Sequence, residues 1–230
     1  KSLYEDVSPL IDQLDSVAAS YKKGAVSRSV RISVQPFFAS EYFVPRLREF
    51  TSEHPDIDIQ VGTSDETTEK HPADADLSIR LFRSAPSDMP SNLLFPLRMV
   101  PAGSPEFKEQ MTVRKKTIVS EFPIIVHETH LKAWAQWADA AGIELPEKKK
   151  IIRLGSTIAV LRAAQRGIGA ALVPVPMGQL WFDEGSIVRL FKKELVADVS
   201  YYLVCKADRA DDDSVRRLRD WILRNFANSG

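Results

Sequence analysis

Several stretches of this 230-residue chain carry side chains that could do more than pack. Ser156 lies in Leu154-Gly155-Ser156-Thr157, where an expected strand turns into an expected helix. A nucleophile elbow has that context, but it also needs G-x-S-x-G spacing and a recruited His/Asp pair, and neither is legible here. His127-Glu128-Thr129-His130 offers two imidazoles at i and i+3. A zinc helix needs H-E-x-x-H and a third ligand at a readable spacing, so His127 and His130 read as a loop-facing pair rather than as ligands. Gly167-Ile168-Gly169 lacks the third glycine of a dinucleotide fingerprint and follows a helix instead of opening one; a helix C-cap and a tight strand entry explain it better. The runs Arg114-Lys115-Lys116 and Lys148-Lys149-Lys150 fall in expected loops as solvated surface. The chain is therefore not read as an enzyme, and no metal site or cofactor is expected.

What the pattern offers instead is binding. Two expected helix N-termini face a common cleft: Pro36–Ser40 after the first strand, and Ser156-Thr157 after the strand ending at Leu154. Unpaired N–H groups and the positive end of the helix dipole make such a terminus an anion or carboxylate site. Arg80, ending the third strand, could add a bidentate carboxylate contact. Each has a plainer alternative: Ser156 caps its own helix, and Arg80 pairs with a neighbouring Asp.

These groups are positioned by alternating strands and helices. Residues 1–23 carry Leu3, Val7, Leu10, Leu14, Val17 and Tyr21 at spacings of four and three, an a/d seam interrupted by Pro9. This segment is either a coiled-coil helix or a single amphipathic helix lying on the body. Val30, Ile32 and Val34 alternate as a half-buried strand stopped by Pro36, and a helix follows over about 39–53, closed by His54-Pro55. Further strands are expected at 57–61, 77–81 and 93–102. Then come a short helix from Ser104-Pro105, a strand at 122–127, a helix at 134–142, a strand at 151–154 and a helix at 158–165. A strand at 169–173 ending at Pro174, a helix near 176–183, and strands at 187–190 and 199–205 precede a last helix at 213–226. The order is that of an α/β sheet built from two units, with the strands near 93–102 and 199–205 as crossovers and a cleft between the units at the carboxyl ends of the strands.

Composition limits what such a fold can bind. Lys+Arg and Asp+Glu both number 31, so the net charge is zero, and this segment does not itself read as a nucleic-acid binder. Apolar residues at 44% support a real core, the lone Cys205 excludes a disulfide framework, and no run approaches the ~20 apolar residues of a membrane span. Residue 1 is Lys and no basic-then-apolar leader follows, so the chain is expected to be a fragment or a processed product.

An ordered set of motifs resembles the effector-binding domain of LysR-type transcriptional regulators, in the branch of the glycine-cleavage activator and the beta-lactamase regulator. The set comprises Val30-Arg31-Ile32-Ser33-Val34, F-V-P-R-L-R-E-F at 43–50, His54-Pro55-Asp56-Ile57, D-A-D-L-S-I-R at 74–80 and Gly103-Ser104-Pro105. It continues with W-A-Q-W-A-D-A-A-G at 134–142, A-A-Q-R-G-I-G-A-A-L at 163–172, Tyr201-Tyr202-Leu203-Val204 and the Trp221-Ile222 helix. The resemblance implies two Rossmann-like lobes with two crossover strands, as in type II periplasmic binding proteins. Lobe I would be 28–100 plus 205–230, lobe II 101–204, and 1–27 a linker helix from a winged helix-turn-helix domain absent from the chain. Pro9 departs from the family's uninterrupted linker helix.

The resemblance further implies a small-molecule effector held between the lobes. Its walls would be Gln35, Pro36, Phe37, Phe38 and Ala39, with Arg80 and Leu81, on one side. Pro101, His127, Thr129, Ser156, Thr157, Val173, Pro174 and Tyr201 would form the other. Phe37-Phe38, where many members carry a small polar residue, points to a partly apolar or aromatic effector beside the anionic one that the helix termini suggest, or else to plain core. A homodimer pairing helix 39–53 and strand 57–61 with the partner's helix near 176–183, a tetramer in the full-length regulator, DNA contact only through the absent domain and a cytoplasmic location complete the expectation. The alternative is a periplasmic solute-binding protein of the same fold.

Overall fold

The computed structural model describes residues 28–64, 70–147 and 150–227. The linker helix expected over 1–27 lies outside them. In β1 (Ser29–Val34) the alternating Val30, Ile32 and Val34 are fully buried, as their spacing requires. Pro36 halts the strand and at once opens a helix as its first residue, where a missing N–H costs nothing. Helix α1 therefore starts earlier than residue 39. It runs through Pro36–Phe38, a π-helical stretch Ala39–Phe43, and Val44–Glu53. The wide turn closes with Val44 N–H on the Ala39 carbonyl immediately before Pro45, whose ring would clash with the carbonyl four residues back in a regular α-helix.

The chain continues with β2 (Asp58–Thr63), β3 (Leu77–Phe82), the long β4 (Ser91–Gly103), α2 (Pro105–Gln110), β5 (Val113–Arg114), β6 (Thr117–Ile118) and β7 (Ile124–His127). Next come α3 (Ala133–Ala141), β8 (Ile151–Leu154), α4 (Thr157–Gln165), β9 (Ala170–Val175) and α5 (Gln179–Asp183). The described chain ends with β10 (Val188–Arg189), β11 (Leu195–Cys205) and α6 (Asp213–Phe226). Gly142 adopts φ 61° as the C-cap of α3, a left-handed position that glycine takes without strain.

Among the described residues one nine-stranded sheet runs β2-β1-β3-β11-β4-β9-β7-β8, with β10 added to β4. The outer trios are parallel, β2-β1-β3 on one side and β9-β7-β8 on the other. Between them β11 and β4 are antiparallel to their neighbours. β4 pairs with β11 from Ser91 onward and with β9 over Arg98–Ala102, while β11 pairs with β3, so the two strands together join the trios. The register of β11 shifts between Val196 and Ser200, a bulge beside that handover. The mixed α/β architecture is the expected one.

Several local expectations are corrected. β9 does not end at Pro174 but carries it opposite Met99. β7 pairs with β9 only as far as Ala171, so a residue without an N–H is tolerated beyond that point. β11 begins at Leu195 rather than near 199, and α5 is shorter than 176–183. The basic run at 114–116 makes a hairpin turn, with Lys115 and Lys116 both at positive φ.

Helix α6 buries Val215, Leu218, Trp221, Ile222 and Phe226 on one stripe, and Asp212 Oδ1 caps it by accepting the Ser214 and Val215 N–H groups. Phe226 meets Phe38, Tyr42 and Phe43 of α1 at ring-centroid distances of 5.8, 5.1 and 5.9 Å. Burying this aromatic cluster fixes the start of α1 against β1, and with it one wall of the cleft.

Candidate functional site

A cavity of about 630 Å³ opens where the strands of both parallel trios end. The turn from β1 into α1 contributes Gln35, Pro36, Phe37, Ser40 and Glu41, and β3 contributes Leu81. Leu97 and Met99 of β4 and Tyr201 of β11 form the floor. Opposite stand His127, Glu128, Thr129 and His130 after β7, Trp134 of α3, Gly155 to Thr157 and Arg162 around α4, and Leu172 and Pro174 of β9. The walls are mostly apolar, with a few polar groups converging, which suits a small organic ligand.

Of the sequence-assigned residues, Gln35, Pro36, Phe37, Leu81, His127, Thr129, Ser156, Thr157, Pro174 and Tyr201 line this cavity. Phe38, Ala39, Arg80, Pro101 and Val173 do not. Phe38 is fully buried, with ring contacts at 5.4 Å to Tyr42 and 5.1 Å to Tyr201. The first helical turn thus sends Phe37 to the cleft and Phe38 into the core. Ala39 is buried at the start of the π-helical stretch. Arg80 is 2% exposed, and its Nη2 donates to Ser33 Oγ at 2.6 Å. Pro101 is paired with Leu172 inside the sheet and accepts the Leu190 N–H at 2.8 Å. Val173 alternates with Leu172 and Pro174, so when those two face the cleft it turns away.

Ser156 is the N-cap of α4: its Oγ accepts the Ala159 N–H at 3.3 Å. Glu128 Oε1 lies 3.2 Å from where a Cβ of residue 155 would stand, so glycine there leaves room for a carboxylate beside the opening of α4. Thr129 Oγ1 is 2.7 Å from His127 Nδ1 and 2.8 Å from His130 Nδ1. His127 Nδ1 also faces the Thr129 N–H at 3.3 Å and so acts as acceptor. Having one proton, the hydroxyl donates to His127 and accepts from His130. Burial, and then the charge of His127, hold the His130 imidazole below its usual value. Burial likewise pushes the Tyr201 phenol well up, keeping it neutral. Among the described residues no group of three or more His, Cys, Asp or Glu could hold a metal ion. No described helix is long and apolar enough to cross a membrane.

The sequence reading missed Glu41, Glu128, His130, Trp134 and Arg162. Only Glu128 and His130, flanking the assigned Thr129, had a local signal; the others reach the cleft through tertiary packing.

The family model for the LysR substrate-binding domain matches residues 23–227. The glycine cleavage system transcriptional activator of Escherichia coli K12 is 25% identical over 227 residues, spanning 99% of this chain and 74% of that protein. The transcriptional activator AmpR of Citrobacter freundii is 25% identical over 223 residues, 95% of this chain and 75% of that protein. The solved AmpR effector-binding domain of C. freundii superposes with a TM-score of 0.71 at 25% identity, covering 84% of this chain and 96% of that one. Full-length AphB of Vibrio cholerae shares the fold, with a TM-score of 0.67 at 17% identity over 97% of this chain and 78% of that one. With that sheet topology, that cleft and a family match spanning every described residue, the chain belongs to the LysR substrate-binding domain family and is the effector-binding domain of a LysR-type transcriptional regulator.

Proposed function

We propose that the 630 Å³ cleft binds a small organic effector and that occupancy shifts the geometry of a regulator whose DNA contacts lie outside this chain. The observation that carries this is the mostly apolar cleft at the strand ends, flanked by the β4/β11 handover that joins both trios. On this reading 28–100 with 205–230 forms lobe I, 101–204 forms lobe II, and Gln35, Pro36, Phe37, Leu81, His127, Thr129, Ser156, Thr157, Pro174 and Tyr201 touch the effector. Two copies pair through α1 and β2 of one and α5 of the other, as a tetramer in the full-length cytoplasmic regulator. The relatives' role as transcriptional activators favours this reading over a transport receptor.

Thermal unfolding against amino acids, aromatic acids, small dicarboxylates and cell-wall peptides tests it. A ligand at 100 times its dissociation constant adds about 2.7 kcal/mol, a rise of roughly 5–10 °C at this size. The shift should vanish in Leu172→Trp, which fills the cleft. A shift that survives Leu172→Trp would place the effector elsewhere.

A further inference from the structure

Among the described residues that line the cleft, Arg162 is the only lysine or arginine. It also lines a second, smaller cavity of about 200 Å³, shared with Glu41, Gln165, Trp181 and Glu184. Despite those two carboxylates, Arg162 makes no ion pair among the described residues. Trp181 stands between these groups as a shared contact. Its indole N–H donates to Glu41 Oε2 at 2.8 Å, and the Ser40 hydroxyl, shared with the Phe37 carbonyl, lies 3.1 Å from Glu41 Oε1, so each carboxylate oxygen has a donor on it. The same indole presents its face to Arg162, whose Cζ lies 4.5 Å from the ring centroid. Gln165 Oε1 accepts from Arg162 Nη1 at 3.1 Å and steadies the guanidinium from its own helix. One side chain thus touches a carboxylate at its edge and a guanidinium on its face.

A guanidinium held by the Trp181 face and Gln165, with no ion pair among the described residues, on the wall of a mostly apolar cleft is suited to one kind of guest. We propose that Arg162 recognises the carboxylate of an effector with an apolar, aromatic body, and that Trp181 keeps Arg162 available by restraining Glu41. This rests on the reading of the cleft as the effector site and names the chemical class it takes. Arg162 has the role that the sequence suggested for Arg80.

The test uses phenylacetate and its neutral isostere phenylacetamide, with calorimetric titration of the 230-residue chain at constant ionic strength. Phenylacetate should bind more tightly than the amide. Arg162→Gln should weaken phenylacetate roughly 10- to 100-fold, as loss of a charged hydrogen-bond partner does, and leave the amide unchanged. Trp181→Phe frees Glu41 to neutralise Arg162, so it too should weaken phenylacetate, and adding Glu41→Gln should restore binding. That rescue separates the proposal from simple loss of packing at residue 181. No preference for phenylacetate over the amide, absence of binding by both included, overturns the assignment, as does an Arg162→Gln chain that binds like the parent. Leu172→Trp keeps the two readings distinguishable. If it abolishes binding that Arg162→Gln spares, the cleft stands and the role of Arg162 falls; if it leaves binding intact, both fall.

Discussion

Arg80 and Ser33 are joined by a 2.6 Å hydrogen bond from Nη2 to Oγ, with the arginine 2% and the serine 8% exposed, so a buried guanidinium ties β3 to β1. Arg80→Ala should cost about 1–3 kcal/mol in denaturant unfolding, because the buried Ser33 hydroxyl loses its partner. Ligand affinity of the folded chain should stay within error. An unchanged unfolding midpoint with lost ligand binding would return Arg80 to the site.

Two histidines should make stability depend on pH. Burial, with the charge of His127 second, holds His130 below 6.5; burial also lowers His71, against the opposing effect of the Ala75 carbonyl. Each imidazole therefore takes up a proton more readily in the unfolded chain. The stability they contribute is complete above 6.5 and is lost as pH falls from there toward their lower folded values. Chemical denaturation across this range should show the decline, and His130→Gln should flatten it in part. A slope that neither His130→Gln nor His71→Gln alters would contradict the assignment.

Two glycines should respond oppositely to an added methyl group. At Gly169 a Cβ would stand 2.5 Å from the Pro123 carbonyl oxygen, which is backbone and cannot swing aside. Gly169→Ala should cost about 1–3 kcal/mol or more. At Gly155 the nearest atom is Glu128 Oε1 at 3.2 Å, the end of a flexible side chain. Gly155→Ala should melt near the parent temperature while displacing Glu128 at the cleft rim. Thermal melts of the two variants decide this.

The proposed pairing surface exposes Val44 on α1, at 49%, and Leu180 on α5, at 46%. Val44→Asp or Leu180→Asp should shift sedimentation equilibrium toward monomer, since a charge would be buried in the pair. A parent chain that is monomeric at every concentration would remove the surface from consideration.

Much of the fold was legible because local rules and tertiary needs agree. Val30, Ile32 and Val34 alternate in the sequence and are buried in the structure. The α6 stripe from Val215 to Phe226, the Gly142 cap and the Ser156 cap likewise follow from spacing and residue type. The β5–β6 hairpin was missed because its turn residues are Lys115 and Lys116 rather than the asparagine and glycine that usually advertise positive φ.

The sequence by itself determined the order of the main strands and helices, the membership of a family and the segments that meet at the cleft. Periodicity is local and survives without neighbours. Only the tertiary structure decided which of two adjacent residues faces the cleft: Leu81 and not Arg80, Phe37 and not Phe38, Leu172 and Pro174 and not Val173. Alternation states that neighbours on a strand point opposite ways, but which face meets the core and which the cavity is set by what packs on the sheet. Tertiary structure also brought Trp181 to Glu41 across 140 positions and set Arg162 over its ring, a juxtaposition that no spacing in the chain encodes.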